Sequence, residues 1–198
     1  MVRLLCNGKG SGRRHLSTRL EPMAYHHVAI ATRNLHASHR FYTESCGFEL
    51  QKVVANPTPE GQGWARHLFY ATDGGEMLAL WDLHTAAIPE DYPTAISTGL
   101  GLPEWVNHIA FAANDLDDMQ ARRQRWVDNG NDVAEIDHGW CRSIYTNDPN
   151  GIMVEFCVTT TAFTDADRTE AARLLDAEMP DLDLTVPDIQ FYVANASA

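Results

Sequence analysis

The chain has no paired-cysteine motif. Its four cysteines, Cys6, Cys46, Cys141 and Cys157, stand far apart with no CxxC among them. That excludes a zinc knuckle or a dense disulfide framework, and reads as reduced, mostly buried thiols of a cytoplasmic protein. No apolar run approaches the roughly 18 residues of a membrane-spanning helix. Basic charge is also short: 15 Lys and Arg against 27 Asp and Glu leave a net charge of −12, the wrong sign for a general nucleic-acid binder. The run "GKGSG" has no strand pattern before it and no closing GK[ST], so it is not a phosphate-binding loop. What is present is 198 residues at 44% hydrophobic content, enough for one core or for two small fused modules.

The two ends differ from the middle. Residues 1–22 hold Arg3, Lys9, Arg13, Arg14 and Arg19 against the single acid Glu21, the composition of a disordered extension ahead of Met23. Residues 161–198 contain "TDADRTEAARLLDAEM", a short helix capped by Thr164 or Asp165, expected to pack on the domain or on a partner subunit. Pro180 and Pro187 then break the chain into an acidic tail.

The middle is a repeat. "YHHVAIATRNL" (25–35) lies over "VNHIAFAANDL" (106–116), with His27 on His108, Val28 on Ile109 and Leu35 on Leu116. Each segment is an apolar strand running into a turn, where Asn34 or Asp115 is placed to cap a helix. Leu35, Ser38, Phe41 and Tyr42 line one helix face; Leu116, Met119, Trp126 and Val127, with the stem of Arg123, line the other. Three strand-like runs follow each helix. The spacing predicts an α+β fold of two tandem βαβββ modules, 24–83 and 105–160, joined by a linker over 84–104.

Near the end of the second module, "NDPNGIMVEF" (147–156) is a Pro-Asn-Gly turn leading into an apolar strand that holds one acid, Glu155. A carboxylate buried without a partner costs several kcal/mol. An ion pair with Arg66 or Arg142 is one solution, and a metal ion is another. Tyr145 lies ten residues earlier, where a strand tyrosine ordinarily serves amphipathic packing.

The paired modules, the "NL…FYTESCGFEL" entry and the "DPNG…VEF" exit resemble the vicinal-oxygen-chelate superfamily over residues 24–160. That superfamily includes glyoxalase I, bleomycin and fosfomycin resistance proteins, methylmalonyl-CoA epimerase and extradiol dioxygenases. The resemblance implies a divalent metal in the cup of the paired modules, held by His27, His108 and Glu155. His26 would replace His27 if the register slipped by one residue. Aligning Gly75 with Gly151 puts Ala79 opposite Glu155, so the fourth ligand of the isomerase-like relatives is missing.

The three-ligand pattern favours two branches, iron-dependent extradiol dioxygenases and manganese-dependent thiol transferases. Tyr145 resembles the substrate-facing tyrosine of the first branch, with His138 as the acid-base residue and His67 as a second candidate. The expected activity is therefore ring cleavage of an aromatic diol by Fe(II), or by Mn(II). The Fe(II) would bind adjacent oxygens of the diol while O₂ takes another open position. Two alternatives stand beside it: a lyase, isomerase or thiol transferase using the metal as Lewis acid, and a metal-free ligand-sequestering protein. The remaining expectations are a cytoplasmic enzyme, a homodimer, a small-molecule substrate, and no nucleic-acid or membrane partner.

Overall fold

The structure is a computed structural model that describes residues 24–194. The extension expected over residues 1–22 lies outside the described residues. The first module runs β1 (His27–Thr32), α1 (Leu35–Arg40), a π-helical turn (Phe41–Ser45), β2 (Glu49–Pro57), β3 (Gly63–Ala71) and β4 (Met77–Thr85). The second runs β5 (His108–Ala112), α2 (Leu116–Asp128), β6 (Val133–Asp137), β7 (Cys141–Asn147) and β8 (Met153–Thr159). The caps are those the repeat predicts: Asn34 accepts from the Ala37 amide at 3.1 Å, and Asp115 accepts from Asp118 at 2.8 Å. Gly47 and Gly130 follow the helices at φ 79° and 82°, positions that a residue with a Cβ enters only with strain.

The strands order as β1-β4-β3-β2 in one sheet and β5-β8-β7-β6-β9 in the other. In each module the first strand lies parallel to the last, and the other pairs are antiparallel. The fold is α+β, with paired βαβββ modules and a C-terminal helix, α3 (Asp165–Asp176). The fifth strand of the second sheet, β9 (Asp188–Tyr192), is absent from the sequence reading. "DIQFY" follows Pro187 and is too short to announce a strand by itself. It forms because β6 offers a free edge, and its Tyr192 hydroxyl meets Arg123 at 2.9 Å. No helix of the described residues is long and apolar enough to cross a membrane.

The helix-bearing faces of the two modules pack against each other. Phe48 meets Phe111 and Phe156 with ring centroids 4.9 and 6.3 Å away, and the fully buried Trp126 lies 5.3 Å from Phe156. Polar contacts span the same junction: Tyr42 donates to Asp148 at 2.9 Å, Asn150 to Ser38 at 3.1 Å and Asn131 to Ser45 at 3.1 Å. α2 buries Met119 and Trp126 as expected, with one arginine exchanged for its neighbour. Arg122, not Arg123, is buried, with its guanidinium 4.4 Å from the Phe156 ring centroid and ion-paired to Asp73 and Asp118. With two carboxylates and a ring face to receive it, a buried guanidinium is tolerated here. Back-to-back packing leaves the other face of each sheet turned away from the junction, and those faces carry the candidate site.

Candidate metal centre

Strand register builds the site. β8 pairs with β5 on one side and β7 on the other, so Ala110, Glu155 and Tyr145 stand in one row on one face. Cross-strand partners share a face. Tyr145 therefore points the same way as Glu155, the turn at 148–151 having set the parity. His108, two residues before Ala110, is on that face too.

The ring of His108 bridges two oxygens. Its Nε2 lies 3.0 Å from Glu155 Oε2, and its Nδ1 lies 3.1 Å from the carbonyl of Trp105. A carbonyl only accepts, so Nδ1 carries a proton and donates it. In a neutral ring Nε2 then aims its lone pair at a carboxylate oxygen, an arrangement that repels. Either a second proton or a cation between the two atoms reconciles them. Glu155 is only 5% exposed, so its charge has little help from water. An imidazole held by a backbone carbonyl, with its other nitrogen beside a buried carboxylate, is a donor set that fits a divalent metal.

The alternative partners of Glu155 are engaged elsewhere, on the helix-bearing faces. Arg66 binds Asp82 at 2.7 Å and Arg142 binds Asp137 at 2.8 Å. Tyr145 sits beside the pair, with its ring centroid 6.2 Å from that of His108 and its hydroxyl 3.0 Å from His138 Nε2. Burial pushes the phenol well above its ordinary range; the Ser143 hydroxyl opposes the rise and the Glu155 carboxylate adds to it. Tyr145 is therefore a proton donor at neutral pH, in reach of a histidine that can exchange its proton.

The first module repeats the register without the ligand. Ala29 pairs with Ala79 as Ala110 pairs with Glu155, and Phe69 stands across from Ala79 where Tyr145 stands across from Glu155. His27 shares this face, with its ring edge-on to Phe69 at 5.5 Å and its Nδ1 2.8 Å from His26 Nδ1. His26 itself precedes the strand. His67 stacks on Trp81 at 3.8 Å, and its Nε2 has no hydrogen-bond partner among the described residues. Burial first, and then His27, lower its pKa. The alternation in "ARHLFYA" puts His67 and Phe69 on one side of β3, with Trp81 of β4 across from His67.

One chain thus brings together His108, Glu155, Tyr145 and His138, but not His27. Among the described residues, no three His, Cys, Asp or Glu side chains converge as a metal site would need.

Two βαβββ modules with a histidine and a glutamate on the uncovered face of one of them define a recognisable class. The profile of the Glyoxalase/Bleomycin resistance protein/Dioxygenase superfamily matches residues 24–156, and the chain belongs to that superfamily. No curated protein matches it. Among solved structures, it is similar to a glyoxylase/bleomycin resistance protein/dioxygenase domain from Frankia sp., at 17% identity over 70% of this chain and 99% of that one, with a TM-score of 0.53. The fosfomycin resistance protein FosX of Listeria monocytogenes, solved with Mn(II), aligns at 16% identity over 75% and 99%, TM-score 0.49. A lactoylglutathione lyase from Agrobacterium tumefaciens aligns at 24% identity over 69% and 93%, TM-score 0.45. At these identities the likeness is one of fold.

Proposed function

We propose that the protein is a metal-dependent enzyme whose centre is shared between two copies of the chain. His108 and Glu155 come from the second module of one copy, and His27 from the first module of the other. The observation that carries this reading is the His108–Glu155 pair, with Nδ1 of the histidine fixed by the Trp105 carbonyl. A divalent cation, Fe(II) or alternatively Mn(II), supplies Lewis acidity and one-electron chemistry when bound there.

The chain's own residues do the rest. Trp105 fixes the tautomer of His108 and so aims Nε2 into the site. The Tyr145 hydroxyl donates to an oxygen of a bound substrate, and His138, 3.0 Å away, takes up or returns that proton. On the partner's side Phe69, His67 and Trp81 form a flat wall suited to an aromatic ring. Ala79 leaves open the position where a fourth ligand would stand. Together these features support extradiol-type cleavage of a catechol-like diol over a closed four-ligand isomerase.

Protein reconstituted without oxygen is expected to consume O₂ with a panel of catechols and to release coloured ring-opened products. Oxygen uptake at background, together with hemithioacetal isomerisation supported by Ni(II) or Co(II), would transfer the assignment to the Lewis-acid branch.

A further inference from the structure

Residues 161–194 lie beyond the segment matched to the family, and here the chain leaves large apolar side chains uncovered. α3 buries no residue. Leu175, Met179, Leu182, Leu184 and Val186 are all at least 75% exposed. Residues 181–186, Asp-Leu-Asp-Leu-Thr-Val, alternate polar and apolar, the period of a half-buried strand. Yet residues 177–187 belong to no helix or strand. A segment patterned to bury one side has no surface of its own chain against that side. Scattered exposed apolar residues are ordinary, but a contiguous series on one short segment marks an interaction surface.

We propose that residues 161–194 form an arm that docks on a second copy of this chain. The proposal rests on the two-copy centre described above, and the place where the arm ends selects that occupant. The arm ends in the sheet that carries Glu155. β9 pairs Phe191 with Ala134 and Ile189 with Ile136, so these side chains extend the row of Tyr145 and Glu155 on the same face. Phe191 is largely exposed there. A first module brought in from a second copy, so that its His27 reaches Glu155, covers the same face.

The test is the double substitution Leu182→Asp with Leu184→Asp in the full chain. Both residues are exposed within one chain, so the fold of each copy should be unaffected, with the same circular dichroism. Sedimentation equilibrium is expected to show a wild-type dimer and a variant whose dimer dissociates at least about tenfold more readily. Metal content is read on the same samples. A dissociated variant that has also lost its metal supports both the arm and the shared centre. A dissociated variant that keeps full metal supports the arm and overturns the shared centre. A variant that dimerises as tightly as wild type overturns the arm, as does a wild-type chain that stays monomeric.

Discussion

Glu155→Ala is expected to abolish stabilisation by added metal while leaving the metal-free protein no less stable than wild type. In the metal-free protein Glu155 is a buried carboxylate facing a histidine nitrogen, and a carboxylate buried without a compensating partner costs several kcal/mol that alanine does not. With metal at about a hundred times its dissociation constant, the wild type gains about 2.7 kcal/mol. Losing one of three ligands weakens binding by more than the roughly 10- to 100-fold typical of an outer partner, so the variant's gain falls to near zero. Urea melts with and without metal read both quantities. If Glu155 serves only as the counter-ion of a protonated His108, the pattern inverts: the variant is destabilised, and metal moves neither protein.

Asp148→Ala is expected to cost about 4 kcal/mol or more, with little of that loss recovered by asparagine. Asp148 is buried where the two modules meet, and its two oxygens accept four hydrogen bonds. The amides of Asn150 and Ile152 donate to Oδ1 at 2.8 and 2.9 Å. The Tyr42 hydroxyl and the Asn150 side chain donate to Oδ2 at 2.9 and 2.8 Å. Alanine leaves these donors buried and unpaired, at about 1–3 kcal/mol for each one left unsatisfied. Asparagine presents an NH₂ where one pair of donors needs an acceptor. Tyr42→Phe, which removes a single donor, should cost only about 1 kcal/mol. A urea midpoint for Asp148→Ala close to that of Tyr42→Phe would show that the turn is not the fastening between the modules.

The sequence carried the repeat because both modules use the same means to start and stop their helices, Asn34 and Asp115 before them and Gly47 and Gly130 after them. It also carried the row that matters most. His27 over His108, and Ala79 over Glu155, are matched by the strand registers because side-chain parity propagates from the glycine turns. Strand order alone left the partner of Glu155 open, and His108 came only from the resemblance. Arg66 and Arg142 were close enough in strand order to qualify, but their own neighbours, Asp82 and Asp137, hold them on the other face.

Two further features depend on tertiary contacts that periodicity does not encode. On α2 it is Arg122 that is buried, because Asp73, from the other module, receives it. β9 exists because β6 has a free edge, a property of the sheet and not of "DIQFY". How the modules meet was equally hidden. Each helix pattern says that one face is buried, but not that the two buried faces lie against each other and turn His27 away from Glu155.

The most direct measurement is metal binding in mixed dimers. His27→Ala and Glu155→Ala chains are purified separately, each without an intact site, then mixed, unfolded and refolded together. If His27 of the partner subunit completes the centre, each mixed dimer regains one whole site, and random pairing returns roughly a quarter of the wild-type metal. If the three ligands belong to one chain, mixing returns none, and the shared centre is wrong.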